Sequence, residues 1–183
     1  MAESLLLPAF RFEVRLLRAA DLIAGRQRLP GAGDGYSPPA GAALLGNGAF
    51  QECGGLEIEM DVQEYPEGGR NNGTIRRVGR AKYPPLLLKR GMFYAPGASG
   101  PANSDLWHWL QRIVNGERPV PRYDGTVSVM SADGSVRATW MFDRGLPSKI
   151  RGPELNAKSG EIAIEELTIA HEGLRLLPAE SPP

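Results

Sequence analysis

The sequence has little of what enzymes and cross-linked proteins commonly use. Its 183 residues include one cysteine, Cys53, and two histidines, His108 and His171. A single cysteine excludes a disulfide within the chain and favours a reducing compartment. Beside Gly54 and Gly55, this cysteine is expected to be a small buried thiol. The histidines are far apart in the sequence and fit no His-Glu-x-x-His motif, so we expect them at the surface or in capping positions. We therefore predict no catalytic residue, no metal site and no cofactor.

Net charge and long apolar segments are also missing. The chain has 21 basic and 21 acidic residues, so its net charge is zero at pH 7 and gives no overall attraction to nucleic acid or anionic membranes. No apolar run approaches the ~18–20 residues of a membrane helix. Met1 to Pro8 lacks the basic start and the apolar core of a signal peptide. We expect no membrane insertion, and we expect assembly in the cytoplasm of the producing cell.

Glycine and proline are abundant, with 23 and 16 residues, and short segments of alternating polarity recur along the chain. Both features are typical of many short strands joined by turns. We predict a mainly β fold, a small barrel or sandwich of antiparallel strands with one α-helix and a long extended hairpin. It occupies residues 1–177 as one domain and is followed by a disordered tail at 178–183. Residues 25–48 form a long inserted loop, either a contact with other subunits or disordered in the free chain.

The long hairpin lies between Phe50 and Gly91, together with the strand that follows it. Apolar and polar residues alternate strictly from Leu56 to Gln63, which predicts a half-buried strand with Leu56, Ile58, Met60 and Val62 facing inward. A turn rich in glycine follows Tyr65, and the return strand runs from Ile75 to Lys82.

Charge is divided between the two arms of this hairpin. The first arm carries only acids, and the second carries only bases. The acids are Glu52, Glu57, Glu59, Asp61, Glu64 and Glu67; the bases are Arg70, Arg76, Arg77, Arg80, Lys82, Lys89 and Arg90. One interpretation is a solvated hairpin with cross-strand ion pairs. The other is a self-complementary edge, in which the acidic arm of one copy meets the basic arm of another. Aromatic platforms for nucleic acid are scarce here, since Tyr83 is the only aromatic residue among the bases.

One helix is predicted between Ser104 and Gly116. Ser104 is the N-cap, Asp105 lies in the first turn, and Gly116 ends the helix. Apolar residues follow helical spacing, namely Leu106, Trp109, Leu110 and Ile113. Trp107 lies off this stripe and is expected to face a second element or another subunit. Trp109 and Trp140 are expected to pack in the core.

The remaining strands follow from alternation. The apolar positions are Phe10, Phe12, Val14 and Leu16, then Val127 and Val129, then Val136, Ala138, Trp140 and Phe142. We predict a hairpin loop at Ser131 to Gly134 and a crossing segment from Arg144 to Asn156. In the last strand, Ile162 and Ile164 are out of phase with Leu167 and Ile169. This slip predicts a β-bulge or a change of sheet at Glu165 and Glu166.

An ordered series of motifs resembles a known family. The motifs are Gly-Gly-Leu56, Tyr65-x-Glu-Gly-Gly-Arg-Asn71, Tyr83-Pro, Leu88-Lys-Arg-Gly91, Leu106-Trp-x-Trp109, Trp140-x-Phe142, Pro147-x-Lys149, Gly152-Pro-x-Leu-Asn-Ala157 and Glu165-x-Leu-x-Ile-x-His-Glu-Gly173. From about Phe10 to Leu174 the chain resembles the tail tube protein of contractile phage tails and bacterial contractile injection systems. That family is similar in fold to the tube protein of type VI secretion.

The resemblance implies a structural protein whose hexameric rings stack into a hollow tube inside a sheath. The implied partners are other copies of the chain, sheath protein, baseplate and hub proteins, a tube-terminating cap and a lumen cargo, either protein or DNA. It also places polar assembly contacts at Glu67, Arg70, Asn71, Lys89 and Arg90. Two alternatives stay open. One is the baseplate-proximal ring that initiates the tube, and the other is a monomeric β-barrel module that binds an anionic ligand.

Overall fold

The computed structural model describes residues 7–19, 44–45, 50–66, 68–69, 73–94, 101–158 and 160–178. Within them the predicted mainly β fold with a helix is confirmed. The strands are β1 (Phe12–Arg18), β2 (Leu44–Leu45), β3 (Phe50–Gly54), β4 (Glu59–Tyr65), β5 (Ile75–Lys82), β6 (Leu86–Gly91), β7 (Tyr123–Met130), β8 (Val136–Arg151), β9 (Ile164–Ala170) and β10 (Gly173–Leu176), and the helix is α1 (Asp105–Val114).

Eight of these strands form one antiparallel sheet. Its order is β2-β1-β7-β8-β9-β6-β3, and β10 pairs with β8 outside this path. Among the described residues the path ends at β2 on one side and at β3 on the other, so the sheet is open and the expected barrel is not closed. The strands β4 and β5 form a separate two-stranded sheet, the long hairpin.

The strand β8 is longer than the sequence predicted. Its first half pairs with β7, and its second half continues through the proposed crossing segment to Arg151 and pairs with β9. Within this strand, Arg144 has a positive φ of 55°. The amide of Arg144 donates to the Asp124 carboxylate over 2.7 Å, and a side chain at Gly145 would meet Phe142, Tyr123 and Ile169. Glycine and proline in this segment therefore lie within a strand and do not end it.

The core forms where α1 packs against the sheet. Leu106 and Trp109 are buried as predicted, and the indole N–H of Trp109 donates to the carbonyl of Pro121 over 2.8 Å. Trp140 is half-buried and packs against the same cluster. The sheet contributes buried apolar residues that include Val14, Leu16, Leu86, Leu88, Val127, Phe142, Leu167 and Ile169. Burial of alternate side chains explains the period of two in the sequence.

The predicted irregularity at Glu165 and Glu166 is wrong. The strand β9 pairs with β6 without a register shift, from Leu86 opposite Ile169 to Gly91 opposite Ile164. Glu165 shares the buried face with Leu167 and Ile169. The apparent slip in the pattern arises because a buried carboxylate occupies a position where alternation normally places an apolar residue.

Several predictions fall outside the described residues. They include most of the loop at 25–48, the tail apart from Pro178, and the turn residues Glu67, Arg70 and Asn71. Within the predicted loop, Leu44 and Leu45 form a short strand opposite Leu17 and Leu16 rather than loop. In the described part of the chain, no helix has the length and apolar character needed to cross a membrane.

Candidate functional site

The hairpin of β4 and β5 extends from the sheet on two adjoining chain segments. The chain enters the hairpin after Gly55 and leaves it through Pro84 and Pro85. A Cβ at Gly55 would lie 2.3 Å from the carbonyl oxygen of Pro85, so these two segments touch closely at the base. The pairing shifts register between Met60 and Val62, opposite Gly79, which adds a bulge to the hairpin.

One face of the hairpin is apolar and uncovered. The side chains of Met60, Val62 and Val78 are 47%, 61% and 70% exposed, and Ile58 nearby is also exposed. The sequence predicted the apolar side of β4 to face inward, and this is wrong for the single chain. The alternation is real, but among the described residues β4 and β5 pair only with each other. Local periodicity cannot tell whether the covering surface belongs to the same chain.

Charged residues of the two arms pair across the hairpin. Lys82 contacts Asp61 at 2.6 Å, and Arg76 contacts Glu64 at 2.9 Å. The hydrogen bond to Asp61 raises the pKa of Lys82, so this amine stays protonated at neutral pH. Arg77 lies over the ring of Tyr65, with 5.2 Å between the guanidinium carbon and the ring centroid. The interpretation of the charge pattern as cross-strand ion pairs is confirmed for these residues.

Lys89 lies beside the end of the sheet. It belongs to β6, next to the end strand β3, and its ammonium group contacts Glu52 of β3 at 2.8 Å. The hydrogen bond that Lys89 donates to Glu52 raises the pKa of Lys89. Lys89 is half-exposed, so it retains surface for a neighbouring molecule in addition to this pair.

Arg90 is placed differently from the expectation that it is an assembly contact. Its side chain and that of Glu165 are each 1% exposed, and the guanidinium Nε donates to Glu165 over 2.5 Å. A second guanidinium nitrogen donates to Asn103 over 2.9 Å, and Trp107 donates its indole N–H to the other oxygen of Glu165, also over 2.9 Å. Arg90 therefore joins β6, β9 and α1 inside the subunit.

Sequence reasoning missed the partner of Arg90. The available signal was Glu165 itself, a charged residue in the buried phase of an alternating strand. Trp107 lies off the helix stripe as predicted, and the second element that it faces is β9, through Glu165.

The cysteine and the two histidines lie apart from one another in the structure. Cys53 is half-buried, and its burial raises the pKa of the thiol to about 11, which keeps it protonated at neutral pH. His108 is exposed on α1, whereas His171 is buried between the rings of Tyr83 and Phe142 rather than at the surface. Within the described ranges, no cluster of three or more His, Cys, Asp or Glu side chains is arranged to hold a metal ion.

The chain matches the model of a known protein family over most of its length. The model of a family described as T4-like virus tail tube protein gp19 matches residues 8–175. A comparison with curated protein sequences gave no significant match.

Solved structures of three assemblies contain chains with a similar fold. One is the 6-fold symmetrised baseplate of the anti-feeding prophage, with a TM-score of 0.70 and 20% identity over 98% of this chain and 100% of that chain. The second is the sheath-tube complex of the PVC extracellular contractile injection system in its extended state, with a TM-score of 0.63 and 22% identity over 93% and 90%. The third is the tube-terminating cap of the anti-feeding prophage, with a TM-score of 0.65 and 21% identity over 98% and 95%.

Proposed function

Because this chain belongs to the family of T4-like virus tail tube proteins, we propose that its copies close into hexameric rings that stack into a hollow tube. The chain is a structural subunit of the inner tube of a contractile tail or injection system. It acts by assembly rather than by catalysis. Closed rings require contacts that differ on the two sides of each subunit, since every copy meets its neighbour head to tail.

The uncovered apolar face of the hairpin carries this proposal. A two-stranded sheet is marginally stable alone in water, and contiguous exposed apolar residues mark interaction surfaces. Met60, Val62 and Val78 lie on paired strands, with Val62 directly opposite Val78, so they form one continuous strip. A second copy of the chain supplies the covering surface in a tube built from identical subunits. The hairpin is then more firmly ordered in the assembled tube than in the single chain.

The ends of the sheet supply the second kind of contact. The strand β3 pairs with β6 on one side, and in the described part of the chain its other side has no strand partner. Such an edge can be extended by a strand of the neighbouring subunit, which gives directional main-chain hydrogen bonds around a ring. Lys89 and Glu52 lie beside this edge and set its charge pattern.

Polar assembly contacts are proposed at Glu67, Arg70 and Asn71 in the hairpin turn and at Lys89 beside the edge. Arg90 no longer belongs to this group because its guanidinium is buried within the subunit. Substituting Arg70 with glutamate should leave the subunit folded and impair tube formation. Tubes of normal length formed by Arg70→Glu would show that Arg70 makes no contact needed for assembly.

Sheath, baseplate and cap proteins are the proposed partners, and the lumen carries either protein or DNA. Assembly takes place in the cytoplasm of the producing bacterium before the particle is released. The second candidate function is the baseplate-proximal ring that initiates the tube, and it is supported by the fold shared with a chain of a baseplate structure. A monomeric module for anionic ligands gains no support, since Arg76 and Lys82 are already paired with acids of the opposite arm.

Negative-stain electron microscopy combined with light scattering tests the proposal. The wild-type protein should give sixfold rings or stacked hollow tubes. Val78→Glu should fold, because Val78 is mostly exposed in the single chain and neighbours Arg76 on the basic arm. It should stay monomeric, because the new charge lies in the apolar strip that a second copy is proposed to cover. Val136→Glu is the matched control, an exposed strand valine outside the hairpin, and it should assemble. Tubes from Val78→Glu, or a wild-type protein that stays monomeric with purified sheath and baseplate proteins present, would contradict the proposal.

A further inference from the structure

The strand β6 has a different apolar surface beyond each of its two ends. The hairpin of β4 and β5 leads through Pro84 and Pro85 directly into the first end, so its apolar strip lies on that side. The second end of β6 is about 17 Å farther along the sheet at the ordinary rise of a strand. Phe93 and Tyr94 follow this second end, and both are exposed.

The surface beyond the second end is a small apolar group, here called the end patch, formed by Phe93, Tyr94 and Ile162. Their exposed fractions are 38%, 70% and 75%. The pairing of β6 with β9 continues past both strands, because the amide of Met92 donates to the carbonyl of Ala163 over 2.8 Å. The next residues outward are Phe93 and Ile162, so the two lie close together at the end of the sheet.

The end patch is held in place by the fold of the subunit. A Cβ at Gly91 would lie 3.3 Å from Cγ2 of Ile162, so the isoleucine packs closely against the end of β6. The carbonyl of Phe93 accepts from the amide of Asn103 over 2.9 Å. Its ring lies over the guanidinium of Arg90, with 5.3 Å between the guanidinium carbon and the ring centroid. The end patch is therefore preformed, and a molecule that binds there meets a surface that needs little further ordering.

Two further exposed apolar residues of the sheet, Val136 and Leu176, lie toward the hairpin instead. Leu146 of β8 pairs with Ala170, at the end of β9 nearest the hairpin. The first half of β8, which begins at Val136 and pairs with β10, lies beyond that point. These two residues are therefore on the same side as the hairpin and are badly placed to receive the hairpin of a copy stacked along β6.

Charge near the two surfaces is complementary. The strands β4 and β5 carry four bases against three acids, and Arg80 of β5 has no acidic partner in the described part of the chain. Glu57 lies at the base of the hairpin, before β4 begins. The segments of the end patch, 92–94 and 160–163, carry one charged residue, the exposed acid Glu161. A surplus base on one surface and an acid beside the other favour their association and orient it.

We propose that the end patch of one copy receives the apolar strip of the hairpin of the next copy, and that this contact repeats head to tail. The inference rests on the proposed tube and names the surface that covers its hairpin. Two different surfaces at opposite ends of one strand make a heterologous contact, which leaves one surface of each kind free at every step and so lets stacking continue. A contact between two hairpins would instead close into dimers.

Cysteine cross-linking tests the proposal. In a Cys53→Ala background, Val78→Cys on the strip is combined with Ile162→Cys on the end patch, and a short bis-maleimide joins thiols that lie close together. The assembled protein should give a ladder of dimers, trimers and longer products on a denaturing gel, because each chain is linked to one neighbour at each end. Either substitution alone should give no ladder. Val78→Cys with Val114→Cys is the matched control, since Val114 of α1 is also 75% exposed, and it should give no ladder.

The substitution Ile162→Glu tests the same contact without a cross-linker. The variant should fold, because Ile162 is mostly exposed in the single chain, and circular dichroism verifies this. It should form no tubes at a protein concentration at which the wild type and Val114→Glu assemble.

These experiments separate the end patch from the tube itself. Wild-type tubes whose cysteine pair gives no ladder, or tubes formed by Ile162→Glu, would overturn this inference and leave the proposed tube intact. A wild-type protein without rings or tubes in electron microscopy, with purified sheath and baseplate proteins present, would overturn both.

Discussion

Replacing Arg90 with methionine should destabilise the subunit strongly. Glu165 would remain 1% exposed, with the indole N–H of Trp107 as its remaining hydrogen-bond donor from a side chain. Removing one partner of a buried ion pair costs about 3–5 kcal/mol because the other charge stays buried without compensation. For a chain of this size, each 1 kcal/mol lowers the melting temperature by about 2–4 °C. Arg90→Met should therefore melt about 6–20 °C below the wild type.

The double variant Arg90→Met with Glu165→Met separates the charge from the packing. An apolar replacement of a whole buried pair is often neutral or stabilising, so the double variant should recover most of the lost stability. Thermal unfolding followed by circular dichroism measures all three proteins. A loss below about 1 kcal/mol in Arg90→Met would refute the reasoning. A double variant no more stable than the single one would also refute it. Below its melting temperature, Arg90→Met should assemble like the wild type, because Arg90 lies inside the subunit.

Three further predictions concern individual residues of the fold. Gly125→Ala should lower the free energy of unfolding by about 1–3 kcal/mol through overpacking, because its Cβ would lie 2.2 Å from the ring of Phe142. Gly160→Ala is the control, since a Cβ there meets open space. Equal urea midpoints for the two variants would contradict this prediction. Cys53 should react with a thiol reagent at pH 8 far more slowly in the native protein than in urea, since burial raises its pKa to about 11; equal rates would show an accessible thiolate. Burial also raises the pKa of Asp124, so the folded chain retains a proton there that the unfolded chain has released, and stability should decrease as pH rises from the unfolded pKa through the folded one. Asp124→Asn keeps an acceptor for the amide of Arg144 and should remove this slope, and an unchanged slope in urea titrations would disprove the assignment.

The sequence was most informative where local pattern and burial agree. Alternation located β1, β7 and the first half of β8, and helical spacing located α1 with its buried Leu106 and Trp109. It failed at Arg144 to Arg151, where glycine and proline suggested a connection. There, the hydrogen bond between Asp124 and the backbone of Arg144 and the pairing of Tyr123 with Gly145 keep the chain in the sheet. These contacts join residues distant in sequence, so no local pattern records them.

The candidate site was predictable only in part, again because sequence patterns are local. Complementary charge on the two arms suggested ion pairs across the hairpin, and the structure contains those of Asp61 with Lys82 and of Glu64 with Arg76. Alternation predicted an apolar face on β4 but assigned it to the core of the same chain. A period of two reports that a face is apolar and carries no information about which molecule covers it. Arg90 shows the converse, since a charge that suggested a surface contact has its partner, Glu165, inside the fold.

Cryo-electron microscopy of the wild-type assembly tests the central claim most directly. The account predicts stacked hexameric rings in which a second copy of the chain covers the strip formed by Met60, Val62 and Val78, while Arg90 and Glu165 stay paired within each subunit. An assembled tube with this strip facing solvent would contradict the role given to the hairpin. A closed particle without rings, or one of different symmetry, would contradict the proposed tube.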